Sequence, residues 1–364
     1  MVGTRILDRM RKRWRALAVT VAASAGIIVG LFGLGTSVEH RLQECLFALH
    51  NHPASGQLVI VEIDARSIAA IDHWPWPRSN HAKLIDQLYQ AGASSIAFDV
   101  DFSSRSTPAE DDALALALTR AGNQVILPTF SQASGTGNHG STDSLPPPSL
   151  RDHALLAAVV VQPDEDGSVR KAPFGTVTAG VPRPSLSAMI AGRDGVADEQ
   201  FTIDYAIDPS TIPRLSFLDV RNGHFDPAAV RGKRVLVGAT AIEMGDRYAV
   251  PRHGVVPGVV IQALAAETLA GGIPYAAGWL APLLVALLCG AFLVGWTTAR
   301  RKIVAVMLVA VPVVIFCGAL ASSIWLAWQF ELTPALAAWV ILGTIVLAVR
   351  AISSRQRERS HDRI

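Results

Sequence analysis

Four aspartates follow predicted strands, at positions where several carboxylates could gather. Asp64 follows the strand VIVEI, Asp99 and Asp101 follow SIAF, and Asp246 comes shortly after a strand that ends at Gly238. In an α/β sheet the carboxyl ends of parallel strands border the ligand crevice. Carboxylate oxygens are suited to Ca²⁺ or Mg²⁺, so one interpretation is a metal site. The other is that these aspartates cap helices or pair with arginines, and the sequence leaves the metal unknown.

A second concentration of unusual residues is the motif WPWPR at positions 74–78. Two prolines fix the backbone, and two indoles offer large rigid surfaces. One interpretation is a preformed ligand platform, and the other is a rigid plug that packs at the sheet edge, with Arg78 paired to a carboxylate. The candidate ligand-binding residues are therefore Asp64, Trp74, Trp76, Arg78, Asp99, Asp101 and Asp246.

The sequence lacks the familiar catalytic motifs. It contains no phosphate-binding loop ending in Lys-Ser or Lys-Thr, no G-x-S-x-G elbow and no H-E-x-x-H. The stretch GTGNHG at 135–140 lies in a Ser- and Gly-rich segment and opens no helical pattern. We therefore expect no enzyme and no cofactor, with a metal-dependent hydrolase built on the four aspartates as the less favoured alternative.

Strand and helix patterns alternate through the central part of the chain. Runs rich in β-branched residues predict buried strands at 58–63, 95–98, 124–127, 156–161 and 234–237, and helical patterns occupy 81–90 and 111–121. Gly92 and Gly122 follow these helices, where a left-handed cap commonly falls. This rhythm predicts an α/β fold with an open, mostly parallel sheet covered by helices. Residues 131–148, rich in Ser, Gly, Thr and Pro, predict a mobile surface loop, and 164–167 a turn.

Four apolar stretches predict four transmembrane helices, one N-terminal and three C-terminal, at 16–38, 278–299, 303–323 and 332–349. Lys and Arg flank them in segment 1–15, in the loop at 300–302 and in tail 350–364. Because such residues mark the cytoplasmic side, we expect both termini in the cytoplasm and residues 39–277 outside, in the periplasm or extracellular space. The expected location is the inner membrane of a bacterial cell.

Charge and cysteine use agree with this division. Residues 39–267 carry 18 Lys and Arg against 26 Asp and Glu, a net charge of −8, whereas the whole chain carries +2. An acidic outer domain argues against nucleic acid as a partner. Cys289 and Cys317 lie in predicted spans and Cys45 just outside the first, so no intrachain disulfide is expected; Cys45 is either a buried side chain or a link between two copies.

Taken together, these motifs resemble the extracytoplasmic sensor domains of the CHASE type-2 class, the cyclase/histidine-kinase-associated sensory extracellular domains. The resemblance spans nearly the whole chain and rests on the following segments: VEID at 61–64 with Ser67, WPWPR at 74–78, HAKLI at 81–85, AGA at 91–93, IAFDVDF at 96–102, DEDGSVR at 164–170, PSLS at 184–187, VLVG at 235–238, Asp246, PGV at 257–259 and QA at 262–263.

The resemblance implies an α/β sensor that is normally joined, through three terminal spans, to a nucleotide cyclase, diguanylate cyclase or kinase. Only about 15 residues follow the last predicted span, too few for such a domain. We therefore expect a membrane-anchored sensory module that recognises an external signal or protein and transmits through its transmembrane bundle to a separate or missing output protein. The alternative is a structural or docking subunit of a cell-envelope complex. Expected partners are the lipid bilayer, a cytoplasmic or envelope protein and a second copy in a homodimer.

Overall fold

The structure is a computed structural model that describes residues 2–71, 74–104, 106–133, 141–194, 196–197, 199–295 and 301–361. The chain divides into two compact units. The first, which we call the helical unit, comprises Met1–His50 and Pro274–Ile364, and the second, the α/β unit, comprises Asn51–Ile273.

The helices of the described residues are, in chain order, α1 (Val2–Phe32), α2 (Thr36–Leu49), α3 (Ala65–Ala70), α4 (Arg78–Gln90), α5 (Pro108–Ala121), α6 (Pro148–Arg151), α7 (Leu186–Ala191), α8 (Phe217–Arg221), α9 (Gly258–Gly271), α10 (Leu280–Gly295), α11 (Arg301–Leu326) and α12 (Thr333–His361). Short 3₁₀ turns lie at Gly122–Gln124, Pro209–Thr211, Pro227–Ala229 and Ile242–Met244.

The strands are β1 (His52–Pro53), β2 (Leu58–Ile63), β3 (Ser95–Asp99), β4 (Val125–Ala133), β5 (Ser141–Ser144), β6 (Leu155–Ala158), β7 (Lys171–Pro173), β8 (Gly175–Thr178), β9 (Val181–Pro184), β10 (Gln200–Thr202), β11 (Ile207–Asp208), β12 (Arg214–Ser216), β13 (Arg234–Ala239), β14 (Arg247–Val250), β15 (Gly254–Pro257), β16 (Tyr275–Gly278) and β17 (Trp328–Phe330). The mixed α/β class predicted from the sequence is confirmed.

The largest sheet of the α/β unit has seven strands. Its order is β12-β2-β13-β3-β4-β5, and β6 also pairs with β4. The pairs β12–β2, β2–β13, β13–β3, β3–β4 and β4–β6 are parallel, and β4–β5 is antiparallel. The remaining strands of this unit form two-stranded pairs, among them the hairpins β8–β9 and β14–β15.

Both faces of the central strands are buried, which explains their continuous apolar sequence. Val61 of β2 and Val237 of β13 belong to one core cluster with residues of α4, α5 and α8. Ile60 and Leu236 are also fully buried, and because side chains alternate along a strand they face the opposite side, where α9 contacts β2 and β13. The helices on both faces thereby fix the positions of the strand ends.

Most predicted elements of this unit are observed with small shifts at their ends. The strand at 58–63 is confirmed in full, while the strand predicted at 156–161 lies at 155–158. The helix predicted at 81–90 begins three residues earlier, and Gly92, with φ of +82°, ends it as expected. The predicted turn before Ser168 is also present, since the Gly167 N–H donates to the Asp164 carbonyl at 2.8 Å.

The prediction of a surface loop at 131–148 is wrong for most of the residues that the structure describes. Residues 125–133 and 141–144 form the antiparallel pair β4–β5, and 148–151 form α6. Residues 134–140 lie outside the described residues. Ser, Thr and Gln lack apolar surface for a core, but their backbones can pair at the edge of a sheet, where no buried side chain is required.

Within the described part of the helical unit, three helices are long and apolar enough to cross a membrane, at Arg13–Phe32, Lys302–Leu326 and Thr333–Arg355. They overlap the predicted spans 16–38, 303–323 and 332–349, the first of them only as far as Phe32. The predicted span 278–299 contains α10, an apolar helix of 16 residues, and residues 296–300 lie outside the described residues. The fourth span therefore stays a prediction.

The first predicted span, 16–38, is not one continuous helix. Helix α1 ends at Phe32, and α2 begins at Thr36. Gly33 and Gly35 between them have φ of +60° and +82°, a conformation that glycine adopts without strain. The sequence shows an uncharged stretch across this point, so hydropathy alone could not locate the break.

Candidate functional site

The carboxyl ends of β2, β13 and β3 lie side by side and form what we call the carboxyl edge. Gly238 of β13 is paired with Glu62 of β2 on one side and with Asp99 of β3 on the other. Asp64 directly follows β2, and Asp246 directly precedes β14. This is the edge at which α/β sheets commonly bind ligands.

Asp246 is held against the start of α9. The Gly258 N–H donates to the Asp246 carbonyl at 3.1 Å, and a Cβ atom on Gly258 would collide with the Asp246 carboxylate. The Tyr248 hydroxyl donates a hydrogen bond to the same carboxylate. The carboxylate therefore lies beside the positive end of a helix of 14 residues, where the helix dipole favours a negative charge.

A second glycine lets Asp99 approach the same region. A Cβ atom on Gly238 would lie 3.2 Å from the Asp99 Cβ and 2.6 Å from Cγ2 of Val259. Any larger residue at 238 would therefore push β3 and α9 apart. Asp99 and Asp246 are far apart in the sequence, yet their carboxylates are close enough for the charge of Asp246 to oppose ionisation of Asp99.

The environment favours the protonated form of Asp99. Burial, and after it the charge of Asp246, raises the pKa of Asp99 to about 7. Burial also raises the pKa of Asp246, against the opposing effect of hydrogen bonds from Tyr248 and Gly258. Burial and the two carboxylates raise the pKa of Tyr248 to about 12. Asp99 can thus hold a proton near neutral pH, and the pKa of Asp246 is shifted in the same direction.

Asp64 and Asp101 have local roles instead. The Asp64 carboxylate caps α3 and accepts the Ser67 N–H at 2.7 Å. Burial acts to raise the pKa of Asp64, but the hydrogen bonds from Ser67 lower it overall. Asp101 accepts the N–H and the hydroxyl of Ser103 at 2.7 and 3.0 Å. Within the described residues no three His, Cys, Asp or Glu side chains come together as a metal would require.

The two tryptophans of the WPWPR motif have different surroundings. Trp76 is buried in the core, its ring centroid lies 4.7 Å from that of Phe217, and its Nε1 donates to the Ile71 carbonyl at 3.2 Å. Trp74 is 39% exposed and contacts Trp76 edge to face at 5.2 Å. Trp76 is therefore a packing residue, and Trp74 alone of the pair offers its indole to a ligand or partner.

Arg78 is buried and fully engaged. Its guanidinium forms an ion pair with Asp111 and donates to the carbonyls of Phe102, at 2.8 Å, and Ser104. Of the two roles that the sequence left open for Arg78, pairing with a nearby carboxylate is the one observed. It ties α4 to α5 and to the segment that follows β3.

His81 is a buried titratable residue that sequence reasoning passed over. Its ring is 3% exposed and lies among Trp76, Phe98, Phe102 and Phe217. Burial, and after it the charge of Arg78, lowers the pKa of His81 to about 3. Position 81 falls on the apolar face of α4, one turn after Arg78, and that spacing was the available signal.

An α/β unit inserted between apolar helices of membrane-spanning length defines a class, the membrane proteins that carry a folded domain outside the bilayer. The family model of the CHASE2 domain matches residues 17–299, and the chain belongs to that family of extracytoplasmic sensory domains. The comparisons with curated proteins and with solved structures found no match. The family resemblance inferred from the motifs is thus confirmed.

Replacing Gly258 by alanine should disturb the carboxyl edge directly. The new Cβ would collide with the Asp246 carboxylate, and we expect the free energy of unfolding to fall by about 1–3 kcal/mol, as in other overpacked sites. Urea unfolding of the full-length protein in nanodiscs, followed by tryptophan fluorescence, measures it. Gly271→Ala is the matched control at the other end of α9, where a Cβ meets nothing within 4 Å. Equal effects of the two substitutions would contradict the close approach at Gly258.

Proposed function

We propose that this protein is a membrane-anchored sensory module whose α/β unit recognises an external signal or protein and whose transmembrane helices pass the event to an output protein. One observation carries the proposal: the chain matches an extracytoplasmic sensory family, and its α/β unit lies in the sequence between helices long and apolar enough to cross a membrane. In such an arrangement, binding outside can reach the other side of the bilayer only through the helices.

We further propose that the chain crosses the inner membrane four times with both termini in the cytoplasm. The support comes from the Lys and Arg residues of segment 1–15, the loop 300–302 and segment 350–364, which the positive-inside rule places on one side. The fourth crossing is assigned to the uncharged stretch 278–299, which contains the apolar 16-residue helix α10. Fusions of a reporter active only outside the cytoplasm, placed at 300 and at 364, test this orientation.

For the carboxyl edge we propose binding rather than catalysis. Asp64 and Asp101 are occupied by their own turns, which leaves Asp99 and Asp246 as the acidic pair available to a ligand. Two carboxylates beside a tyrosine suit a polar or cationic group. Calorimetric titration with Mg²⁺ and with Ca²⁺ tests the less favoured metal-dependent hydrolase, since stoichiometric binding there would favour it over the sensor.

The test of the sensor proposal is affinity purification of the full-length protein from gently solubilised native membranes, followed by mass spectrometry. We expect a kinase, a cyclase or an envelope protein to be recovered in stoichiometric amount. Recovery of the protein alone, or of a second copy alone, would oppose transmission to a separate output protein. A nucleic-acid-binding partner is not expected, because residues 39–267 carry a net charge of −8.

A docking subunit is the second candidate function, and the exposed indole of Trp74 favours it. A large aromatic side chain that is 39% exposed is a typical anchor of a protein interface. If Trp74 contacts the partner, Trp74→Ala should reduce the recovered partner by tenfold or more. Tyr89→Ala is the matched control, because Tyr89 is an aromatic residue of the same unit with 42% exposure. Equal recovery from both variants would exclude Trp74 from the interface.

A further inference from the structure

A buried carboxylate joins two segments of the helical unit that are far apart in the sequence. Glu39, in the first turn of α2, is 8% exposed. Its Oε2 atom accepts the N–H of Leu332 at 2.8 Å, the N–H of Thr333 at 2.8 Å and the Thr333 hydroxyl at 2.7 Å. One oxygen thus receives three hydrogen bonds at the start of α12.

These three bonds cap the N-terminus of a membrane-length helix. The first N–H groups of any helix lack partners within that helix, and a carboxylate there also complements the helix dipole. A cap normally comes from the residue just before the helix. For α12 the cap comes instead from another helix, so its first turn is bonded to α2 rather than to its own chain segment.

The backbone around Glu39 is shaped for this approach. Gly35, which precedes α2, has φ of +82°, and a Cβ atom on it would lie 2.9 Å from Cγ2 of Thr333. The second oxygen of Glu39, Oε1, is buried without a hydrogen-bond partner among the described residues. Burial, and after it the charge of Glu39, raises the pKa of the adjacent Glu331. A desolvated charge of this kind is costly unless it is held at its donors, which makes the contact specific to a carboxylate.

The position of this contact in the chain would allow it to transmit a movement of α2 to α12. α2 is the last helix before the chain enters the α/β unit at Asn51, and α12 runs from Thr333 through the third membrane-length segment to His361. A displacement of α2 would therefore act directly on α12 if the carboxylate holds the two together.

We propose that Glu39 is a latch that couples α2 to α12, so that movement of α2 is passed to the far end of α12. The latch consists of the Glu39 carboxylate, the Leu332 and Thr333 N–H groups and the Thr333 hydroxyl. This proposal depends on the proposed function in one respect, namely that α12 carries the signal across the membrane. Glu39 is a positioning residue, since it acts through α12.

Distance measurement by pulsed electron resonance in the full-length protein tests the latch. One spin label is placed on the exposed native Cys45 of α2 and the other on Ile352→Cys near the far end of α12, with Cys289 and Cys317 replaced by alanine. Positions 333 and 352 of α12 are separated by about 30 Å of helix. Because Cys45 lies on α2, which contacts α12, we expect the distance between the labels at 45 and 352 to fall in the measurable range. The readout is the width of the distance distribution in nanodiscs.

We expect Glu39→Ala to broaden the distribution at least twofold and Glu39→Gln to broaden it less, because an amide oxygen still accepts but the charge is lost. Glu44→Gln is the matched control, since Glu44 lies on the same helix and, in the described part of the chain, accepts a surface hydrogen bond from Arg41 at 3.5 Å. Thr333→Val removes one of the three donors and should give an intermediate width.

The latch is overturned if Glu39→Ala and Glu44→Gln give the same width. Should Glu39→Ala fail to fold, unchanged widths in both Glu39→Gln and Thr333→Val overturn it equally. The measurement needs neither a signal nor an output protein. A negative result in the distance measurement would therefore overturn the latch but not the sensory proposal, which is tested by the affinity purification. A negative result in the purification would likewise leave the latch unaffected.

Discussion

Replacing Arg78 by methionine is expected to lower the free energy of unfolding of the α/β unit by about 3–5 kcal/mol, the usual cost of removing one partner of a buried ion pair. The Arg78 side chain is buried, and its loss leaves the half-buried carboxylate of Asp111, which is 20% exposed, without its cation. It also deprives the carbonyls of Phe102 and Ser104 of their donor. Urea unfolding of the full-length protein in nanodiscs measures the change.

The control for this substitution is Arg120→Met on α5. Arg120 pairs with Asp86 at 2.7 Å, but its side chain is 52% exposed, and surface pairs of this kind contribute about 0–1 kcal/mol. The double variant Arg78→Met, Asp111→Leu should recover part of the loss, because it removes both charges. A loss below about 1 kcal/mol for Arg78→Met would show that the guanidinium does not tie α4 to α5.

The sequence predicts the central strands well because local and tertiary preferences agree there. Residues 58–63 are almost all β-branched or aliphatic, they follow Gly56 and they end at Asp64, which caps the next helix. A run buried on both faces needs no periodicity to be recognised. The same agreement holds for α4, whose end is marked by Gly92.

The failures occur where a partner distant in sequence decides the structure. Residues 141–144 become a strand only because the edge of β4 is available to pair with them. The four aspartates predicted to form one site do not do so, for a similar reason. Ser67 and Ser103 lie two or three residues from their aspartates and engage them, while Asp246 reaches Asp99 only through the fold.

Glu39 illustrates the same limit in the helical unit. Its donors lie at 332 and 333, and nothing in its own neighbourhood distinguishes it from Glu44 five residues later. Arg78 could be expected to pair with a carboxylate, yet the choice of Asp111 depends on how α4 and α5 pack. Sequence patterns thus locate elements, whereas contacts between elements decide which polar residues have a function.

Asp99→Asn should stabilise the α/β unit at neutral and higher pH and leave it nearly unchanged in acid. The pKa of Asp99 is about 7 in the folded protein, above the 3.8 of an unperturbed aspartate. A raised pKa means that protonation favours the folded state, so this contribution is complete below pH 3.8 and is lost as the pH rises through about 7. An asparagine amide keeps the neutral form at every pH.

The expected change in the free energy of unfolding on Asp99→Asn follows from the same pKa shift. A rise of one pKa unit corresponds to about 1.4 kcal/mol, which gives an upper bound of roughly 4 kcal/mol above pH 7. Asp99 is partly exposed, and solvent screening reduces this, so we expect about 2 kcal/mol. Urea unfolding of both proteins between pH 4 and pH 8 gives the difference curve. His81, which acts in the opposite direction as the pH falls below its ordinary 6.5, is common to both and cancels.

Two further variants separate the causes of the shift. Asp246→Asn removes the second carboxylate, so the midpoint of the pH dependence should move down while staying above 3.8, because burial is the larger cause. Asp101→Asn is the matched control two residues along, because its carboxylate is exposed and accepts hydrogen bonds from Ser103. Equal difference curves for Asp99→Asn and Asp101→Asn would contradict the assignment of the pH dependence to Asp99. A flat curve for Asp99→Asn would mean that Asp99 is ionised throughout. The carboxyl edge would then carry the full negative charge of Asp99, and a cation rather than a proton would be its natural occupant.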